Sequence, residues 1–152
     1  MAAATESVAR WRRALICALL LAGCTRGGGI DPGDTKQVAR GEAVYREHCA
    51  SCHGARLEGQ PEWRQRRPNG RLPAPPHDAS GHTWHHPDEL LINIVRQGLI
   101  PPWAPAGYES DMPAFVGRLS DTDIFAVLAY IESRWPPEVR EQRARMLEQG
   151  KR

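Results

Sequence analysis

Residues 49 to 53 read Cys49-Ala50-Ser51-Cys52-His53, and this string constrains the fold more than any other feature of the chain. Two thiols two residues apart, followed at once by an imidazole, form the pattern of covalent haem attachment. Each thiol can add to one porphyrin vinyl group, and the short spacer brings both sulfurs to one porphyrin edge. His53 then sits beneath the iron, where its imidazole can ligate it. A chain joined to a haem in this way must build its core around a flat apolar disc. Two other uses of a C-x-x-C pair compete. A redox dithiol belongs in a βαβ surround, which the sequence does not show. A structural zinc would need a second close pair of ligands, and the chain has no other close Cys pair. The four cysteines divide cleanly: Cys17 lies inside an apolar run, Cys24 ends it, and Cys49 and Cys52 belong to the string. None is left for a disulfide, so the cofactor is the expected covalent staple.

The start of the chain reads as an address. Arg10-Trp11-Arg12-Arg13 precedes an apolar stretch from Ala14 to Ala22, too short to cross a bilayer as a mature helix. Its end, Leu21-Ala22-Gly23-Cys24, resembles the lipobox of bacterial lipoproteins. That resemblance implies cleavage before Cys24, lipidation of Cys24, and residence on the periplasmic or cell-surface side of a membrane. Thr25, in place of an Asp, leans towards the outer membrane. An ordinary signal peptide ending in a chance Cys is the alternative. Residues 1–23 are thus expected to be a lipoprotein signal peptide, and 24–35, rich in Gly, a lipidated flexible tether.

The remaining 129 residues, Cys24 to Arg152, suit one domain. The whole chain carries 20 Lys and Arg against 18 Asp and Glu, and without the leader the two counts are 17 and 17. A balanced chain of this kind gives no reason to expect nucleic acid as a partner. Arg64, Arg66, Arg67 and Arg71 crowd one stretch. They read as a solvated loop, with a docking patch for an acidic partner as the sharper alternative.

Periodicity predicts helices and no convincing strand. A first helix starts near Asp34 or Thr35 and runs through Val38, Gly41, Ala43, Val44 and Tyr45 towards the Cys49 string. Residues 55–86 are irregular and contain Pro61, Pro68, Pro73, Pro75 and Pro76. A loop of this length is unusual in a compact domain, and makes sense if it wraps a cofactor. His86-Pro87-Asp88-Glu89 starts a second helix with Leu90, Leu91, Ile94 and Val95 as its apolar face and Gly98 as its stop. Ser120 caps the strongest helix, which carries Ile124, Val127, Leu128 and Ile131. Trp135-Pro136-Pro137 ends it. Residues 137–152 are polar nearly all round and read as a solvent-facing helix or a frayed tail.

A second ligand on the iron could come from Met112, Met146 or the histidines 77, 82, 85 and 86. Met146 lies in the polar tail. Met112 lies in an extended loop, held extended by Pro113, just before the capped helix. Here the chain resembles the class I c-type cytochromes with a single haem. The motifs are Gly41-x-x-x-Tyr45-x-x-x-Cys49-Ala-Ser-Cys52-His53-Gly54, then Met112-Pro113-Ala114-Phe115, then Leu119-Ser120-Asp121 leading into Ala126-Val127-Leu128-Ala129-Tyr130-Ile131. The resemblance implies an all-α cytochrome c-like fold over residues 36–136, with three to four core helices and long loops around one covalent haem c. It implies His53 and Met112 as the axial ligands, and a crossing of the first helix over the last core helix near Tyr130. It also implies a proline carbonyl, from Pro75 or Pro76, that holds the His53 ring. Tyr45, Trp84 and Trp103 are further candidates for the haem pocket.

The main departure from that pattern is Gly81-His82-Thr83-Trp84-His85-His86. His82, His85 and His86 are candidate ligands for copper or another second metal, or for the iron itself, because imidazole suits all of them. The expected function is electron transfer between transient donor and acceptor proteins, with the iron cycling between ferric and ferrous and no enzymatic activity. A thioether ligand favours the ferrous state and raises the potential. Three alternatives stay open: a peroxidase-like haem protein with Met112 displaced, a copper-binding protein, and a haem subunit of a larger oxidoreductase.

Overall fold

The computed structural model describes residues 28–150. The predicted leader, Cys24 and the start of the tether lie outside the described residues. Among these residues, five α-helices and one short 3-10 turn make up the regular structure: α1 Thr35–His48, α2 Ala50–His53, the turn Thr83–His85, α3 Asp88–Gln97, α4 Asp121–Ser133 and α5 Pro137–Gln149. Among the described residues there is no strand, as periodicity predicts.

Local chemistry explains where the helices begin and end. The Asp34 carboxylate accepts from the backbone N–H groups of Lys36 and Gln37, so α1 starts one residue later. Ser120 and Asp123 form a reciprocal capping box at the head of α4. Gly98, at φ +80°, stops α3 in a conformation that a side chain would disfavour.

The core is the crossing of α1 and α4. Gly41 on α1 lies so close to α4 that a Cβ there would sit 1.9 Å from the Ala126 carbonyl oxygen and 2.8 Å from Tyr130 Cβ. One turn further on, the Tyr45 and Tyr130 rings meet at 5.5 Å between centroids. The expected crossing near Tyr130 therefore forms, and glycine makes it possible. Around it pack Leu57, Leu91, Ile124, Val127, Leu128, Ile131 and Trp135. Each such apolar side chain, fully buried, contributes roughly 1.5–3 kcal/mol. Helix α4 is buried on more than the one face its periodicity suggested, because Ala126 and Ala129 are covered as well.

The C-terminal segment is a helix, and it is docked. Arg143, only 2% exposed, donates to the carbonyl oxygens of Trp84 (3.0 Å) and His86 and to the Asp88 carboxylate. Its guanidinium also lies 3.8 Å from Glu132 and over the Trp135 ring. At the other end, the Gln37 side chain donates to the Gly29 carbonyl, and Ile30 packs against the core. Gly29 and Ile30, within the stretch expected to be a tether, thus contact the folded body.

Candidate haem site

The string Cys49–His53 occupies the junction of α1 and α2. Cys49 caps α1, and the backbone N–H groups of Cys52 and His53 return to its carbonyl at 3.1 and 2.9 Å. This single turn places Cys52 at the surface and Cys49 half-buried. Burial, reinforced by the nearby Cys52, pushes the Cys49 thiol up to about 11, so it keeps its proton at neutral pH. The Tyr45 hydroxyl donates to the carbonyls of His53 and Gly54, at 3.3 and 3.1 Å, and fastens the turn to α1. Burial raises the ionisation of Tyr45 far above that of an ordinary phenol, which keeps it a donor.

His53 is 8% exposed. Its Nδ1 lies 2.8 Å from the Pro75 carbonyl oxygen. A carbonyl can only accept, so Nδ1 carries the proton and Nε2 presents its lone pair. Of the two prolines singled out in the sequence, Pro75 makes this bond. Pro76 is buried beside it and walls Gly59 instead. Burial lowers the basicity of His53, and the hydrogen bond to Pro75 partly opposes that. The neutral, oriented imidazole that results is the form that ligates a metal.

The irregular stretch after His53 is folded by its own backbone. Gly59 N–H returns to the His53 carbonyl (2.8 Å), Gln60 N–H to Ala74 (2.9 Å), and His77 N–H to Leu57 (2.8 Å). Gly59, at φ +71°, leaves no room for a Cβ, which would lie 2.4 Å from Pro76 N. These contacts deliver Pro75 to His53 across twenty-two residues of chain.

His77 was among the candidates for the opposite iron ligand, and the structure places it elsewhere. Its ring stacks on the His53 ring, with centroids 3.8 Å apart and planes 17° from parallel. A lone pair lies in the plane of its imidazole, so the opposite ligand must lie along that line beyond the metal. His77 covers the ring face and does not meet that condition. Trp135 Nε1 holds the His77 carbonyl at 2.8 Å, and burial drives the basicity of His77 well down.

His82, His85 and His86 are not brought together as a set of three ligands in this structure. His82 stacks on Trp63 and meets His86 edge-on, while His85 leans against Trp84. Among the described residues, no group of three or more His, Cys, Asp or Glu side chains is arranged to hold a metal ion. Trp84 itself is partly buried against the core, and Trp103 is half-buried in the loop after α3.

Met112 is positioned by a different element. Its N–H bonds to Ser110 Oγ at 3.0 Å, and the next turn is pinned to the end of α3 by Phe115 and Val116 N–H groups donating to Arg96 O. Met112 is half-buried. Arg64, Arg66, Arg67 and Arg71 are not simply solvated. Arg71 reaches Glu109 (3.4 Å) and Asp111, Arg67 approaches Asp111 at 4.0 Å, Arg66 lies over Tyr108, and Arg64 lies over Trp63.

Three further residues carry the site and were not singled out for it: Arg143, Arg71 and Leu57. Leu57 is buried at φ +68°, and nothing in its immediate sequence signals that conformation. The hydrogen-bond partners of the Arg143 and Arg71 side chains lie tens of residues away, beyond the reach of any local pattern.

An all-α body that orients one histidine beside two thiols, and wraps it in long loops, is the architecture of a haem protein. A family model for cytochrome c matches residues 38–135, and the chain belongs to that family. Its members carry covalently attached haem c and generally serve electron transfer. No solved structure matches the chain. The residues fit the group: two thiols and an oriented imidazole stand together, and two solvent-shielded polar atoms, His77 Nδ1 and Trp84 Nε1, have no partner among the described residues. Trp84 Nε1 is a donor, which is the chemistry a haem carboxylate requires.

Proposed function

We propose that this protein is a single-haem electron carrier of the class I type, with Cys49 and Cys52 as the attachment thiols and His53 and Met112 as the axial ligands. The observation that carries this reading is the bond from His53 Nδ1 to Pro75, which fixes the tautomer and leaves Nε2 for iron. The bound group supplies one-electron cycling between ferric and ferrous iron. The chain supplies the rest. Burial keeps His53 neutral and Pro75 orients it, while Tyr45 and Gly59 hold the turn and the loop that bring them together. Met112 closes the second face against small ligands, which argues against peroxidase-like chemistry. Its thioether biases the iron towards the ferrous state. Trp84 Nε1, buried without a partner among the described residues, would donate to a haem carboxylate. Contacts with redox partners are small and brief, as suits a carrier.

The leader supports export and lipidation at Cys24, which places the carrier at the periplasmic or cell-surface side of a membrane, with the outer membrane favoured. A tether of this kind raises the local concentration of membrane-bound partners.

Spectra of the oxidised and reduced holoprotein, with Met112→Ala alongside, test the ligation. The wild type should be low-spin and show the weak red absorption band of thioether–iron bonding. Met112→Ala should lose that band and bind added imidazole readily. A spectrum indifferent to the substitution would remove Met112 from the iron.

A further inference from the structure

Arg71 stands four positions before Pro75 in the loop that orients His53. Its guanidinium crosses to the loop that carries Met112, where Nε donates to Glu109 Oε2 at 3.4 Å and a terminal nitrogen donates to Asp111 Oδ1. The two acids flank Ser110, whose hydroxyl holds the N–H of Met112. Behind Arg71 the loop is braced. Arg67 N–H donates to the Arg71 carbonyl at 2.9 Å, and Gly70 N–H returns to Arg67. Arg67 Nη2 and Ala74 N–H both donate to Gln60 Oε1, at 2.8 and 3.0 Å. One stiff segment therefore runs from the proline that holds His53 to the residues on either side of Ser110.

We propose that Arg71 is a positioning residue that ties the Met112 loop to the His53 loop, so that the two faces of the haem are held by one cross-brace. This rests on the reading of Met112 as the second ligand. Each ion pair here is partly exposed, with side-chain exposures of 38% for Arg71, 50% for Asp111 and 67% for Glu109. Pairs of that kind add little to folding stability. They bear on a local equilibrium instead: whether the Met112 loop stays closed or swings away. A fork that grips two carboxylates at once holds a loop better than a point charge would, so Lys is not an equivalent residue.

The test is competition for the iron in the full holoprotein. Added imidazole displaces Met112 only when its loop opens, so the apparent imidazole affinity reports the open fraction. Arg71→Gln should raise that affinity roughly 3- to 10-fold while leaving the thermal midpoint nearly unchanged. Arg71→Lys should fall between the variant and the wild type. About 1 M salt, where the Debye length is about 3 Å, should raise imidazole affinity in the wild type and have little effect in Arg71→Gln. Asp111→Asn combined with Arg71→Gln should add less than the two changes separately. An Arg71→Gln protein with its thioether band intact and wild-type imidazole affinity would overturn the cross-brace alone. A wild-type spectrum unaffected by Met112→Ala would overturn the ligand reading, and the cross-brace with it.

Discussion

Gly41 shows how much one missing methyl group decides. A Cβ at that position would occupy the same space as the Ala126 carbonyl oxygen, and the obstacle is helix backbone that cannot rotate aside. Gly41→Ala should therefore cost at least about 1–3 kcal/mol, the usual range for overpacking, despite the better helix propensity of Ala. Chemical denaturation of the holoprotein measures this; a stabilised variant would show that the crossing is looser than its geometry. His53 is the complementary case. Its place in the string identifies it from sequence, yet its tautomer depends on a carbonyl twenty-two residues away. Pro75 and Pro76 are equivalent candidates on sequence, since both lie in the same proline-rich run. Only the backbone pairing of Gln60 with Ala74 and of Leu57 with His77 decides that Pro75 faces the ring. His77 has no sequence signal as the partner that stacks on His53, because nothing about a lone histidine in a loop specifies which ring it will meet.

At the level of elements, starts and stops follow local rules and were legible. Asp34, Ser120 with Asp123, and Gly98 mark boundaries that the structure keeps to within a residue or two. The segment of α5 reads from sequence as a solvent-facing helix or a frayed tail, and not as a docked helix. Its polar composition hides the fact that Arg143 is buried and serves as the hub for four neighbours: Trp84, His86, Asp88 and Glu132. Removing it strands two carbonyls and two carboxylates at once. Arg143→Ala should cost roughly 3 kcal/mol. It should also loosen the Thr83–His85 turn, seen as a shift in Trp84 fluorescence and earlier release of α5 in hydrogen exchange. If α5 kept its protection in that variant, the arginine would not be what docks it. The histidines of this turn illustrate the opposite error. Three imidazoles in five positions suggest a metal site, but ligands must converge, and in this structure the rings pack on Trp63, on Trp84 and edge-on against each other instead.

At the scale of the whole molecule, the long irregular stretch after the haem string is the economical part of the design. It forms almost no helix, yet it carries Pro75 to His53, Arg71 to the Met112 loop, and Trp84 to the docking site of α5. The lipid attachment proposed at Cys24 belongs to this scale too, because it would determine where the whole carrier resides. Cys24→Ser should move the haem protein from the membrane fraction to the soluble exported fraction without altering its spectrum; retention in the membrane fraction would rule out Cys24 as the anchor. The sequence by itself determined the cofactor chemistry, the helices and the absence of a strand. Those follow from covalent pattern, periodicity and capping, all read over a few neighbouring residues. Tertiary structure alone decided which proline holds His53, that His77 stacks on it, and that Arg143 and Arg71 link distant segments. The physical reason is distance along the chain: such contacts form between residues twenty or more apart, and only the folded backbone brings them within the few ångströms over which hydrogen bonds, ring stacking and ion pairs act.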